Sequence, residues 1–131
     1  MCLQGASRVA AALADLPGDA LRTFIAWVPM LPPDTAAAAR AAAQAFSYAE
    51  HYWDRERRLA EAMGRALGIT AKESTGAEGE FGWAWDVYLA YGPADEHLLQ
   101  PRFWMHQLAL THAPRLDPAE FRRQVEQLLR R

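Results

Sequence analysis

Cysteine is almost absent from this chain: among its 131 residues only Cys2 carries a thiol. A single cysteine cannot form a disulfide bond within the chain, so a fold stabilised by internal disulfides is excluded. The same scarcity favours a reducing compartment, and we therefore expect a cytoplasmic protein. One thiol still permits a disulfide with a second molecule, which makes Cys2 the first candidate for chemistry.

Long apolar runs and an excess of one charge are also missing. No segment approaches the roughly 18 consecutive apolar residues of a membrane span. Arg8 and Asp15 interrupt the Ala-rich N-terminal stretch, so no signal peptide is expected there. A total of 14 Lys and Arg opposes 16 Asp and Glu, which gives a net charge of −2. Nucleic-acid binders carry a basic face and electrostatic membrane anchors need clustered cations, so neither nucleic acid nor membrane is an expected partner.

The remaining composition is typical of one folded domain. Hydrophobic residues make up 51% and charged residues 23% of the chain, which is ordinary for a globular protein. A chain of this length can bury one core, and no linker or internal repeat divides the sequence. We therefore expect a single domain over residues 1–131.

The first part of the chain predicts a helix and then a strand. Apolar residues recur every three or four positions and stop before Pro17 and Gly18, which is typical of an amphipathic helix that ends there. This stripe consists of Cys2, Ala6, Val9, Leu13 and Leu16. Residues 21–28 then form a nearly continuous apolar run, which predicts a buried strand with parallel neighbours.

Two further helices are predicted in the middle of the chain. Asp34 or Thr35 can cap an Ala-rich helix whose small side chains allow close packing against a sheet. Residues 50–54 interrupt the helical pattern and are predicted to be a break between helices. Asp54 can then cap a third helix, which Gly68 ends.

The last part predicts two strands and a final helix. Residues 70–82 are polar and glycine-rich, which favours a surface loop. Residues 83–91 alternate as a strand does, and residues 102–110 predict a second strand antiparallel to the first. Residues 117–120 read Asp-Pro-Ala-Glu, a typical helix start. The resulting order is α-β-α-α-β-β-α, which predicts an α/β fold.

This order resembles a thioredoxin-like fold that lacks its first strand. Such folds run strand, helix, strand, helix, strand hairpin and last helix, as a three-layer sandwich with a mixed sheet flanked by helices. Four local strings are similar to stretches of a small group of bacterial thioredoxin-like proteins: WVPMLPPD, HYWDRERRLA, AWDVYLAYGP and FWMHQL. The first helix of this family begins at a Cys-x-x-Cys motif, and here the first predicted helix begins at Cys2.

The resemblance implies thiol–disulfide exchange with Cys2 as the nucleophile. A cysteine at a helix N-terminus feels the positive end of the helix dipole, which stabilises its thiolate. The thiolate attacks a disulfide, and a second thiol resolves the mixed disulfide. The implied partner is a protein disulfide or thiol, and no cofactor or metal is expected.

The sequence departs from the family pattern in three places. The motif reads Cys2-Leu3-Gln4-Gly5, so either Gly5 replaces the resolving cysteine, or Cys2 is itself the second cysteine and the first lies upstream. No segment before Met1 supplies the first strand, so either the start is internal to a longer gene or another chain covers the strand edge. The loop before Trp83 has no proline where the family has a substrate-gripping cis-proline.

Asp86 is the second candidate site residue. It lies inside an aromatic strand, where an unpaired carboxylate is costly. It is either a buried acid that assists proton transfer near the thiol or a structural group paired with His106, Arg102 or a backbone N–H. The four histidines show no tight metal-ligand spacing, and Met105-His106 with Cys2 is only a weak metal alternative.

The five tryptophans are better explained as core or interface anchors than as a ligand pocket. Together with a sheet edge that the missing first strand leaves open, they suggest a homodimer through that edge. The alternative to redox chemistry is therefore a non-catalytic thioredoxin-fold module that binds another protein or itself.

Overall fold

The computed structural model describes residues 3–76, 78–108, 110 and 112–130. Over these residues the chain is an α/β protein with five α-helices and four short strands. The elements in order are α1 (Gln4–Leu13), β1 (Phe24–Trp27), α2 (Ala36–Ala43), β2 (Glu50–Trp53), α3 (Arg58–Ala66), α4 (Ala71–Thr75), β3 (Val87–Ala90), β4 (Phe103–His106) and α5 (Pro118–Leu129). A 3-10 turn (Gln44–Phe46) follows α2 directly. Within these described ranges, no helix has both the length and the apolar character needed to cross a membrane.

The strands form two separate sheets of two strands each within the described residues. β1 and β2 are parallel, and Trp27 lies opposite Trp53. β3 and β4 are antiparallel, and Val87 lies opposite His106. The parallel neighbour of β1 and the antiparallel hairpin were both predicted. The single mixed sheet was not observed, because no described strand pairing joins the parallel pair to the hairpin.

Strand β2 corrects the prediction that residues 50–54 form only a break between helices. Its side chains alternate: Glu50 and Tyr52 are exposed, whereas His51 and Trp53 are partly buried. Four residues are too few for a period of two to stand out in the sequence, so pairing with β1 decides the conformation. The observed order is therefore α-β-α-β-α-α-β-β-α rather than α-β-α-α-β-β-α.

Strand β1 is shorter and less buried than its apolar sequence predicts. Only Trp27 of its four residues is buried, and Phe24 is 52% exposed. Ile25 and Trp27 pack against α1 and α2 on one face. No layer covers the other face among the described residues. The apolar run over residues 21–28 is therefore buried on one face of the strand and not on both.

The predicted loop over residues 70–82 contains a short helix, α4. Thr70 accepts a hydrogen bond from the Glu73 N–H, and the Glu73 side chain accepts one from the Thr70 N–H, so the two residues form a capping box. Ser74 of this helix holds the next segment: its hydroxyl donates to the Trp83 carbonyl at 3.0 Å and accepts from the Trp83 N–H at 3.1 Å. Residues 83–86 are thereby tied to α4, and β3 starts only at Val87.

Two of the predicted helix caps are confirmed and one is different. The Thr35 side chain caps α2, and Asp117 caps α5. Asp54 is not the N-cap of α3; that position is Arg57, whose φ is 58°. The Asp54 carboxylate still supports this helix start, because it accepts from the Ala60 N–H at 2.9 Å.

Helix α1 connects the two sheets. Its N-cap residue Leu3 and its residues Ala6 and Ala10 pack against the core of the β1–β2 sheet. The buried residues of that core are Trp27, Ala39 and Phe46. The α1 residues Val9 and Leu13 pack against the core under the β3–β4 hairpin. That second core consists of Ala90, Met105, Leu116, Phe121 and Val125, and α5 covers it as well. The start of α1 therefore lies where both halves of the fold meet.

Candidate functional site at the start of helix α1

Cys2, the predicted nucleophile, lies outside the described residues, which begin at Leu3. Leu3 is the N-cap residue of α1 and makes no side-chain capping hydrogen bond. The first turn also contains no acidic residue. The first N–H groups of a helix have no partner within the helix, so this end offers donors and partial positive charge to a neighbouring anion.

Gly5 brings this helix end against the β3–β4 hairpin. It is buried, and a Cβ atom added to it would fall on the hydroxyl oxygen of Tyr88 and on Oε1 of Gln107. Glycine is therefore required here for close approach rather than for an unusual backbone angle. A cysteine at this position would have to displace both side-chain ends.

Tyr88 and Gln107 form a polar pair under the helix start. The Tyr88 hydroxyl donates to Gln107 Oε1 at 3.2 Å, and the Tyr88 ring packs edge-on against Phe121 with centroids 6.4 Å apart. The backbone N–H of Gln107 donates to the carbonyl of Asp86 at 2.8 Å. This bond joins the beginning of β3 to the end of β4 and places Asp86 in the same region.

Asp86 has an unusual backbone conformation and a perturbed carboxyl group. Its φ is 55°, in the left-handed region that asparagine, aspartate and glycine tolerate best. The carboxyl group is partly buried, and desolvation raises its pKa above the usual range. Burial thus favours the neutral acid, which can donate a proton.

The structural partners predicted for Asp86 bind elsewhere. Arg102 pairs with Asp95, with Nε and Nη2 donating to Oδ1 at 2.8 and 2.6 Å. His106 is 1% exposed, and its Nδ1 accepts from the Leu108 N–H at 2.9 Å. Burial lowers the pKa of His106, so it is neutral at pH 7. Within the described residues, neither the Arg102 nor the His106 side chain pairs with Asp86.

The other histidines have structural contacts or lie on the surface. Nδ1 of His51 accepts from Trp27 Nε1 at 3.1 Å, while Nε2 lies 2.9 Å from the Phe46 carbonyl. Nε2 of His112 lies 3.1 Å from the Leu67 carbonyl. Among the described residues, no group of three or more His, Cys, Asp or Glu side chains is arranged to hold a metal ion.

The tryptophans are fixed by packing or hydrogen bonds. Trp27 and Trp53 belong to the core of the β1–β2 sheet, and Trp85 Nε1 donates to the Ser74 carbonyl at 3.0 Å. The Arg57 guanidinium lies 4.3 Å from the centre of the Trp83 ring. Trp104 packs beside His112, with ring centroids 5.9 Å apart. These contacts agree with anchoring roles, and Trp27 and Trp53 also line a small cleft between α2 and the β1–β2 sheet.

Two clefts lie away from the start of α1. The larger, about 470 Å³, is an open polar depression in the connection between β3 and β4, lined by Asp95, His97 and Arg102 among others. The smaller, about 100 Å³, lies between α2 and the β1–β2 sheet and is lined by Arg40, Trp53 and neighbouring residues. Neither cleft includes Asp86 or Gly5.

Tyr88 and Gln107 are the site residues that sequence reasoning missed. In the predicted strand over residues 83–91, Tyr88 alternates with the tryptophans and so lies on the opposite face. The side of the strand on which Tyr88 lies could therefore have been predicted. Gln107 directly follows β4 and carries no comparable pattern. Its role depends on the packing of Gly5, which is a tertiary contact.

The chain was compared with protein-family models, with curated proteins and with solved structures, and none of them matches it.

Proposed function

We propose that this chain is a thioredoxin-like protein that exchanges thiols and disulfides through the single thiol of Cys2. The observation that carries the proposal is the docking of the first turn of α1, at Gly5, against Tyr88 and Gln107. This contact puts the uncapped helix end that follows Cys2 beside the segment that carries Asp86. An uncapped helix N-terminus, a feature that can stabilise a thiolate, and a carboxyl group with a raised pKa are thus on neighbouring segments.

The order of elements gives further support. The first three elements (α1, β1, α2) and the last three (β3, β4, α5) follow the order of the resembled fold without its first strand. The elements β2, α3 and α4 between them are additional, and β2 pairs with β1. We also propose that the domain is a three-layer sandwich with one mixed sheet. We propose a cytoplasmic location for the protein.

The proposed reaction is a balanced exchange of sulfur bonds. The Cys2 thiolate attacks one sulfur of a partner disulfide; a new S–S bond forms, the old one breaks, and the other partner sulfur leaves as a thiolate that takes up a proton. Neutral Asp86 is the proposed donor of that proton. Because position 5 is a close-packed glycine, an external thiol resolves the mixed disulfide and regenerates the Cys2 thiolate.

The rate of Cys2 alkylation as a function of pH tests this proposal. We expect a rate that is already high near pH 6, because a stabilised thiolate ionises below the roughly 8.5 of a free cysteine. The Cys2→Ser variant is the blank, and a short peptide with the same first residues is the unperturbed reference. If Cys2 reacts only above roughly pH 8, as the peptide does, the redox proposal fails.

A second candidate function is a non-catalytic module that binds another protein or itself. It is favoured by the number of large apolar side chains that the surface carries. Those at least half exposed are Phe24, Leu31, Tyr48, Tyr52 and Leu98. Exposed apolar groups that lie together mark interaction surfaces. This function requires no thiol, so a Cys2→Ser variant that keeps full binding would favour it over redox chemistry.

A further inference from the structure

One face of the β1–β2 sheet is bare among the described residues. We define this outer face as Arg22, Phe24, Ala26, Glu50 and Tyr52. Phe24 and Tyr52 are 52% and 53% exposed, and their ring centroids lie 6.3 Å apart. The opposite face of the same sheet is covered by α1 and α2. Sheets with parallel strands are usually covered on both faces, so the outer face lacks one layer.

The charges on the outer face make it complementary to a copy of itself. Arg22 Nη2 lies 2.7 Å from Glu50 Oε1, and the two side chains are 76% and 50% exposed. The Arg22 guanidinium also lies 5.2 Å from the centre of the Phe24 ring. A two-fold axis that runs along the strands brings Arg22 of one copy to Glu50 of the other and the aromatic pairs to each other. A partner of one charge sign would match only one of these two groups.

The apolar part of the outer face is formed by its two aromatic rings. The two half-exposed rings alone supply roughly 200 Å² of apolar area at the centre of the face.

From these three observations we infer that the outer face of the β1–β2 sheet binds a second copy of this chain in a two-fold symmetric dimer. The inference rests on the second candidate function and names its partner and its surface. It differs from a dimer joined through the open edge of the sheet, because the contact is made by side chains on a face. It does not involve Cys2.

Sedimentation equilibrium over a range of concentrations up to about 1 mM tests the inference. We expect the wild-type mass to rise from 14.6 kDa toward twice that value. Phe24→Ser and Tyr52→Ser should each weaken association at least tenfold, because they remove apolar area from the centre of the face. Leu31→Ser is the matched control, since Leu31 is 62% exposed and lies outside the outer face. A wild-type chain that stays monomeric throughout overturns the inference.

An exchange of charges distinguishes the proposed geometry from other dimers. Arg22→Glu leaves two anions on the face, and Glu50→Arg leaves two cations, so neither variant should associate with itself. A mixture of the two variants should form a heterodimer with about the wild-type affinity, because each copy then supplies the charge that the other lacks. Failure of the mixture to associate, with both variants folded by circular dichroism, overturns the two-fold contact.

Performing these experiments with reducing agent present and again in the Cys2→Ser chain separates the inference from the redox proposal. We expect the same association in both cases, since no thiol takes part. Association that disappears in the Cys2→Ser chain would identify a disulfide-linked dimer and would contradict the inference. Rapid alkylation of Cys2 in a strictly monomeric chain would support the redox proposal and refute the dimer.

Discussion

The raised pKa of Asp86 predicts that this one carboxyl group contributes less to the stability of the fold at neutral pH than at acidic pH. Desolvation raises the pKa of its carboxyl group in the folded state. The stabilising effect of the neutral form is therefore fully present below the unfolded-state pKa and is lost as pH rises through the folded-state pKa. We predict that Asp86→Asn raises the free energy of unfolding at pH 7 by roughly half a kcal/mol, since partial exposure screens most of the charge penalty. Asparagine also tolerates the φ of 55°.

Urea unfolding between pH 4 and pH 8 measures this effect. The decline in wild-type stability that Asp86 causes should be absent from the Asp86→Asn variant. Asp95→Asn is the matched control with the opposite sign, because hydrogen bonds from Arg102 lower the pKa of Asp95 and the variant should lose stability at neutral pH. A less stable Asp86→Asn variant at pH 7 would show that the carboxylate has a structural partner after all.

Gly5 reverses the usual effect of a glycine-to-alanine substitution in a helix. Alanine normally stabilises a helix interior by about 0.5–1 kcal/mol relative to glycine. At Gly5 we predict destabilisation of about 1–3 kcal/mol, because the added methyl group meets Tyr88 and Gln107. Thermal unfolding measures the change, and Gly18→Ala is the control, since no atom lies within 4 Å of a Cβ added there.

The Tyr88→Phe variant separates local crowding from a general effect on the helix. Removing the hydroxyl opens space above Gly5, so the Gly5→Ala substitution should cost less in a Tyr88→Phe background than in the wild type. Equal costs in both backgrounds would contradict this prediction and would mean that Gln107, rather than the Tyr88 hydroxyl, limits the space at Gly5.

Helix α4 and the segment that follows it depend on one buried hydroxyl. Ser74 is 6% exposed and satisfies both the carbonyl and the N–H of Trp83. We predict that Ser74→Ala lowers the free energy of unfolding by about 1–3 kcal/mol, because the carbonyl and the N–H of Trp83 lose their partner in a partly buried segment. The fluorescence of the tryptophans after α4 should shift to the red. Ser47→Ala is the control: it removes an exposed serine hydroxyl after α2 and should change stability by less than about 0.5 kcal/mol.

Elements with a strong local signal were predicted, and those decided by tertiary contacts were not. The apolar periodicity of α1 and α5 and the Asp117 cap identify two helices from sequence alone. Strand β2 was missed because four alternating residues are ambiguous without their partner strand. Helix α4 was missed although Thr70 and Glu73 stand at the spacing of a capping box, because the surrounding glycines suggested a loop.

The candidate site was predicted only in part, for a similar reason. Asp86 was singled out as a carboxyl group in an aromatic strand, and burial raises the pKa of that group in the structure. Its position outside the strand, with φ at 55°, depends on the anchoring of residues 83–86 by Ser74. The pairing of Tyr88 with Gln107 follows from the β3–β4 register and from the approach of Gly5. Such contacts between distant segments leave no local pattern.

At the scale of the whole molecule, α1 supports the two sheets to different degrees. The core of the β1–β2 sheet has only three buried residues and depends on α1 and α2. The core under the β3–β4 hairpin is larger and is also covered by α5. Loosening the first contact should therefore expose the β1–β2 sheet before the hairpin opens.

Ala6→Asp tests this difference, because it places an unpaired carboxylate against the core of the β1–β2 sheet. We predict that amide hydrogen exchange in β1 and β2 accelerates by about 5- to 160-fold, as expected from a penalty of about 1–3 kcal/mol. Exchange in β3 and β4 should change much less. Ser7→Asp is the matched control: it adds the same charge one residue further along α1, at an exposed position, and should leave both sheets protected. If Ala6→Asp accelerates exchange equally in both sheets, the two cores unfold as one unit, and α1 couples them more tightly than their separate hydrogen bonding suggests.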